Sequence, residues 1–261
     1  MKLFNIKNKF LANLIVCALA TTFVLPVTEA VEPGRQVPQT SDEFLDEAVK
    51  MNSLGLASLA IQGGATNVND VLLRLCEHRH YFVDCGIRVI KFVEVLLEHG
   101  ANANTRQNDG TDRTLLMCVC CHSHNHIIDS ELARILLEHG ADVNAHDYHG
   151  WTPLMFACDS NNYSLAKILL DHGAEVNACQ ASGYTPLMFS ARFSLGGGDK
   201  VKTVGLLLEN GADVNKRSDD GESALSLAGR IILNKDLYPP EYVDEAKAAY
   251  DLLFEAVAKQ R

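Results

Sequence analysis

The densest run of chemically capable side chains in this sequence is Cys118-Val119-Cys120-Cys121-His122-Ser123-His124-Asn125-His126. Six thiol or imidazole groups fall within nine residues. Thiolate and neutral imidazole are the donors that zinc and copper prefer, so metal binding is the chemistry to weigh first. Cys121, His122, His124 and His126 are the four candidate ligands, provided they share a loop. Against this, residues 114–120 (TLLMCVC) align with 152–158 (TPLMFAC). In that register Cys118 and Cys120 occupy the places of Phe156 and Cys158, where small buried thiols serve as packing.

Catalytic motifs are missing from the sequence. It contains no Gly-x-Ser-x-Gly, no His-Glu-x-x-His and no Gly-x-x-x-x-Gly-Lys-Ser/Thr. Gly196-Gly197-Gly198-Asp199-Lys200 is glycine-rich without phosphate-loop spacing and reads as a link between helices. His99, His139 and His172 each follow an acidic residue. They read either as a pH-sensing column or as side chains that meet the unpaired carbonyls at helix ends. Asn162-Tyr163-Ser164 is a glycosylation sequon, with meaning only in a eukaryotic secretory route.

The elements that hold these groups are set by a repeat. His/Asn-Gly-Ala-x-x-Asn recurs at 99–104, 139–144, 172–177 and 210–215, with a fainter copy at 63–69. Its glycines, at 64, 100, 140, 173 and 211, are 36, 40, 33 and 38 residues apart. Periods of this size indicate stacked supersecondary units. Thr152 and Thr185 are placed to cap helices, with Pro153 and Pro186 at the first helical position, where a missing N–H costs nothing. Ile168, Leu169 and Leu170 give the following helix its apolar stripe. Gly173 ends it in a left-handed conformation.

Asp147, Gly150, Thr152-Pro153-Leu154, Ala157, Leu169-Leu170, Gly173-Ala174 and Asn177 together resemble an ankyrin repeat. Gly183, Thr185-Pro186-Leu187, Leu207-Leu208 and Gly211-Ala212 resemble a second. The resemblance spans about 41–260 and implies an all-α solenoid of about six helix-turn-helix units: about 41–70, 71–106, 107–146, 147–179, 180–217 and a capping unit at 218–261. A shortened opening turn is expected in the second unit. Extended inter-helix loops are expected near 77–84, 121–128 and 194–199, and the loop carrying His78, His80, Tyr81 and Phe82 is a second candidate surface.

By the same resemblance, turn tips and first helices form a concave surface for a protein partner. The candidate contact residues are Arg106, Asp109, Arg113, Tyr148, His149, Trp151, Tyr184, Phe193, Arg217, Asp219 and Glu222, with Arg192 beside Phe193. Trp151 and Tyr184 have two readings, as binding anchors or as covers over the seams between turns. On the first reading, replacing both by alanine abolishes capture and leaves folding intact. The template also brings Cys76 near Cys85, a candidate disulfide, and leaves Cys179 exposed.

Hydrophobic residues make up 47% and charged residues 21%, a composition that folds. The formal net charge is −10; residues 1–30 hold three lysines and one glutamate, so residues 31–261 carry −12. An acidic domain repels phosphate backbones, which argues against nucleic-acid binding. Lys2, Lys7 and Lys9, the apolar run 10–27 and Thr28-Glu29-Ala30 read as a secretory signal peptide over 1–30. Residues 31–40 then form a Pro-rich linker. Seven cysteines beyond residue 30 leave at least one outside any intrachain disulfide. The expectation is an exported, monomeric, non-catalytic scaffold without cofactor, first in a bacterial periplasm and second outside the cell. It would bind one protein partner, inhibiting or supporting an enzyme or toxin. The competing expectation is a metal or redox protein built on 118–126.

Overall fold

The computed structural model describes residues 40–50, 53–77, 86–121, 126–192 and 200–259. The expected leader and all but Thr40 of the linker lie outside these, as do 78–85, 122–125 and 193–199. The described residues form twelve α-helices, one 3-10 turn and no strand, so the fold is all-α as expected. None of these helices is long and apolar enough to cross a membrane. The described residues fall into two compact units, those up to Leu75 with Ile87–Ala101, and Cys76, Glu77 and Gly86 with those from Asn102 onward.

In the first unit, α1 (Ser41–Lys50) packs against α2 (Leu54–Gln62). They bury Leu45 and Ala48 from one helix and Leu56, Ala57 and Ala60 from the other. The next helix, α3 (Val68–Glu77), starts almost at once, so the unit boundary expected at 71 falls inside it. The opening turn is missing rather than shortened. Asp42 substitutes for it: its carboxylate accepts the Thr66 and Asn67 amides and the Thr66 hydroxyl. The Thr66 amide bond is the main cause of its lowered pKa. The following helix, α4 (Gly86–Glu98), buries Phe92, Val93 and Leu96.

The second unit repeats one theme. Its first helices are α5 (Leu115–Cys121), α7 (Pro153–Asp159), α9 (Pro186–Ala191) and α11 (Ala224–Leu233). Their partners are α6 (His126–Glu138), α8 (Tyr163–Asp171), α10 (Lys200–Glu209) and α12 (Pro240–Lys259). Consecutive first helices pack on one another, consecutive second helices do likewise, and each pair packs internally. A helix of six or seven residues is not stable alone in water. Burial explains its presence: Leu154, Met155, Leu187, Met188 and Phe189 are almost fully enclosed. Each such side chain contributes about 1.5–3 kcal/mol of transfer free energy. Thr152 and Thr185 cap α7 and α9 by accepting the Met155 and Met188 amides, with proline at the first helical turn. The loop expected over 121–128 is cut short because α6 already starts at His126.

The recurring asparagine closes the stack of the second unit. Asn104 donates to the Gly140 carbonyl and accepts from the Asp142 amide, both at 2.8 Å. Asn144 bridges to Gly173 and Glu175 in the same way, and Asn177 to Gly211 and Asp213. Each asparagine thus fills one acceptor and one donor that the end of the next repeat's second helix leaves open. The histidines serve those same helix ends. The Nδ1 atoms of His139 and His172 lie 2.9 and 2.8 Å from the carbonyls of Ile135 and Ile168, and His99 does the same with Val95 in the first unit. Asn210, which replaces histidine in the fourth copy, donates to Leu206.

Candidate protein-binding face

Each first helix of the second unit is preceded by a tight hairpin: 107–113, 147–151, 180–184 and 218–222. Their closing bonds are Gln107–Arg113, Asp147–Trp151, Gln180–Tyr184 and Ser218–Glu222. Adjacent hairpins are joined through the main chain. Tyr148 N–H donates to Thr111 C=O, Ala181 to His149 and Asp219 to Ser182, at 3.0–3.1 Å. Such close approach demands glycine. A Cβ on Gly150, where φ is +80°, would lie 3.2 Å from the Ala181 nitrogen, and one on Gly183 would lie 3.1 Å from Asp219. The hairpins are therefore a fixed row whose side chains keep their spacing.

The expected contact residues divide into two groups on this row. Tyr148 and His149 stand clear at a tip, with Tyr148 79% exposed and its ring edge-on to His149. Asp219 is exposed as well. The others are engaged by neighbours in the chain, though Arg106, Asp109 and Arg217 remain exposed. Arg106 Nη1 is tied to Asp112 and to the His146 carbonyl. Asp109 accepts the Thr111 amide and hydroxyl, and the hydroxyl bond is the first cause of its lowered pKa. Arg217 donates to the Gly221 carbonyl. Glu222 pairs with Arg230 and accepts from Ser226. Phe193 lies outside the described residues, as does the candidate surface at 78–82.

Trp151 and Tyr184 are neither free anchors nor simple covers. Trp151 is half-buried, with its ring 4.9 Å from Phe156 and 4.3 Å from Phe189. Tyr184 lies 5.8 Å from Phe189. Arginines lie over the same rings: Arg113 is 4.9 Å from the Phe156 centroid, and Arg192 is 5.9 Å from that of Phe189. This packing argues against the expectation that alanine at 151 and 184 leaves folding intact, because Trp151 meets one ring in its own repeat and one in the next. Arg192, expected on this surface, belongs to it, in the column of Asp159 when 152–160 is aligned with 185–193; Arg230 belongs to it as well and was not expected.

The chemically suggestive cysteines are mostly core. Cys118, Cys120 and Cys158 are buried, as the alignment with 152–158 implies. Burial pushes the Cys158 thiol up to about 12 and raises Cys118 as well. Of the four candidate metal ligands, Cys121 is half-buried with its Sγ donating to the Cys118 carbonyl, and His126 is exposed. His122 and His124 lie outside the described residues. Among the described residues no three His, Cys, Asp or Glu side chains are grouped to hold an ion. In the candidate disulfide, Cys76 is buried and Cys85 lies outside the described residues. Cys179 is exposed. The sequon asparagine, Asn162, is buried and caps α8 by accepting the Leu165 amide, so its side chain is engaged in the fold.

Comparison with known families places this geometry. A family described as ankyrin repeats (3 copies) matches residues 48–180, and one described as ankyrin repeat matches 182–219. No curated protein matches the chain.

Proposed function

The chain belongs to the ankyrin-repeat family, and from that premise we propose that it is an exported, monomeric adaptor that binds one protein partner on the hairpin row and adjoining first helices. Ankyrin repeats are a protein-interaction scaffold and are generally non-catalytic. The observation that carries the reading is the separation of labour within the row. Main-chain bonds, those of Tyr148 and His149 among them, hold the hairpins in register, while the Tyr148 and His149 side chains stand exposed at their tip. An exposed tyrosine on a rigid support is well suited to anchor a partner at small entropic cost. Export rests on the leader-like residues 1–30, and the bacterial periplasm is the compartment that such a leader fits first. The partner would be an enzyme or toxin that this protein inhibits or supports there.

The test is capture from a periplasmic extract with wild-type protein and with Tyr148→Ala/His149→Ala. These two side chains are exposed, so the variant should keep the wild-type melting curve. A partner retained by wild type and lost by the variant is the expected result. Equal capture by both would remove the hairpin row as the binding face.

A further inference from the structure

The chain is strongly acidic, yet its Trp151 face turns guanidinium groups outward. Three arginines of the second unit, on consecutive or near-consecutive repeats, pair with a carboxylate at that face. Arg113 lies 3.8 Å from Asp147, Arg192 lies 3.7 Å from Asp159, and Arg230 contacts Glu222. In every pair the guanidinium is the outer member. Side-chain exposures are 30% against 1%, 52% against 35% and 58% against 22%. Two of these guanidiniums also lie over Phe156 and Phe189, beside Trp151. A cation whose plane is fixed by a ring offers its N–H groups in a set direction, and arginine matches a carboxylate with two parallel hydrogen bonds.

We propose that this face takes an acidic segment of a partner protein, with Asp or Glu side chains on Arg192 and Arg230 and an apolar or aromatic side chain beside them on Trp151 and Tyr184. The inference rests on the reading of this side of the repeats as the binding face and deepens it by naming the partner's chemistry. It also gives the segment a course. The flanking hairpin tips carry Asp109, Asp219 and Asp220, all exposed. An acidic ligand is repelled from those two outer tips, so it must run along the first helices and meet the row at the Tyr148-His149 tip between them. Charge of one sign over the helices and the other at the tips sets register, which is what interface electrostatics does best.

The probe is a display library of short random peptides, selected on the purified protein. The survivors should be enriched in Asp and Glu, should weaken as salt rises and should bind Arg192→Gln/Arg230→Gln about tenfold less tightly. Both arginines are exposed, so the variant should retain the wild-type helical signal. Survivors without acidic enrichment that are still lost on Tyr148→Ala/His149→Ala overturn the acidic partner while sparing the binding face. Survivors indifferent to both variants, or a selection that enriches nothing, overturn both. Displacement of survivors by single-stranded DNA would assign the arginines to phosphate instead, and would likewise overturn the proposal.

Discussion

Replacing Trp151 by alanine should destabilise the fold before it reveals anything about binding. The indole lies 4.9 Å from one phenylalanine of its own repeat and 4.3 Å from another in the next. Each aromatic pair is worth about 0.5–1.5 kcal/mol beyond simple burial, so two give about 1–3 kcal/mol. The ring is only half-buried, so its lost apolar contact adds about 1–2 kcal/mol rather than the full value for a core Trp. The expected cost is about 3 kcal/mol. Trp151→Phe keeps an aromatic plane in the same slot and should cost about 1 kcal/mol. Urea titration followed by far-UV circular dichroism measures both. The slope should be compared as well as the midpoint, because repeat stacks can lose cooperativity when one interface is weakened. If Trp151→Ala lies within about 0.5 kcal/mol of wild type, the two ring contacts do not couple the repeats, and Trp151 returns to the status of a free binding anchor.

Three further outcomes follow from single interactions. Asn144→Ala removes two inter-repeat hydrogen bonds at 3.1 and 2.8 Å, and since the site is partly solvated the loss should be about 1–2 kcal/mol by the same titration; an unchanged midpoint would deny the asparagine its clamping role. Lys200 is buried and its pKa is lowered to about 8, chiefly by desolvation, against Asp159 and Glu245, which act to raise it. The unfolded chain then binds more protons than the folded one between pH 8 and the ordinary lysine value, so this group adds stability as pH rises through that window. The buried thiols of Cys158 and Cys118 act in the opposite sense above about pH 9, so the readout is the difference between wild type and Lys200→Met: the advantage of the variant should shrink from pH 7.5 to 10, and a constant difference would show the lysine to be solvated. In native protein a thiol reagent should modify exposed Cys179 rapidly and Cys158 only at the rate of unfolding; fast loss of the Cys158 thiol in Cys179→Ser would contradict its burial.

Backbone requirements were legible in the sequence because they recur. A Thr-Pro pair, a glycine with positive φ and a spaced asparagine have the same physical cause in every repeat, so repetition itself identified the helices and their ends. What did not repeat was harder to read. The start of α3 at Val68 follows from Asp42 capping a turn more than twenty residues later in the chain, and no local pattern announces that contact. Trp151 had two readings because its residue type suits both. Only the positions of Phe156 and Phe189, one in its own repeat and one in the next, show that it is a half-buried packing element. Arg192 was legible from its place at the end of a Thr-Pro helix, whereas Arg230 escaped notice because an arginine late in a helix carries no signal until its carboxylate partner is known. The metal reading of 118–126 was weakened by the same alignment that predicted a core role for Cys118 and Cys120.

The two kinds of information in this chain lie in different columns of the same hairpin-helix unit. Glycine and asparagine positions answer to the neighbouring repeat and must stay constant for the hairpins to remain bonded. The column Arg113, Trp151, Tyr184, Glu222 faces outward at the base of each hairpin and carries a different residue type in every unit. Differences there do not disturb the main-chain ladder, because Tyr148, Ala181 and Asp219 donate through backbone N–H groups whatever their side chains. Partner choice can therefore change without cost to the ladder, but not without cost to packing wherever a ring such as Trp151 has been built into the seam. That coupling sets the order of any dissection of the face: exposed Tyr148 first, since its loss reports binding alone, Arg192 and Arg230 next, since each also releases a carboxylate partner, and Trp151 last, since its loss reports binding and folding together.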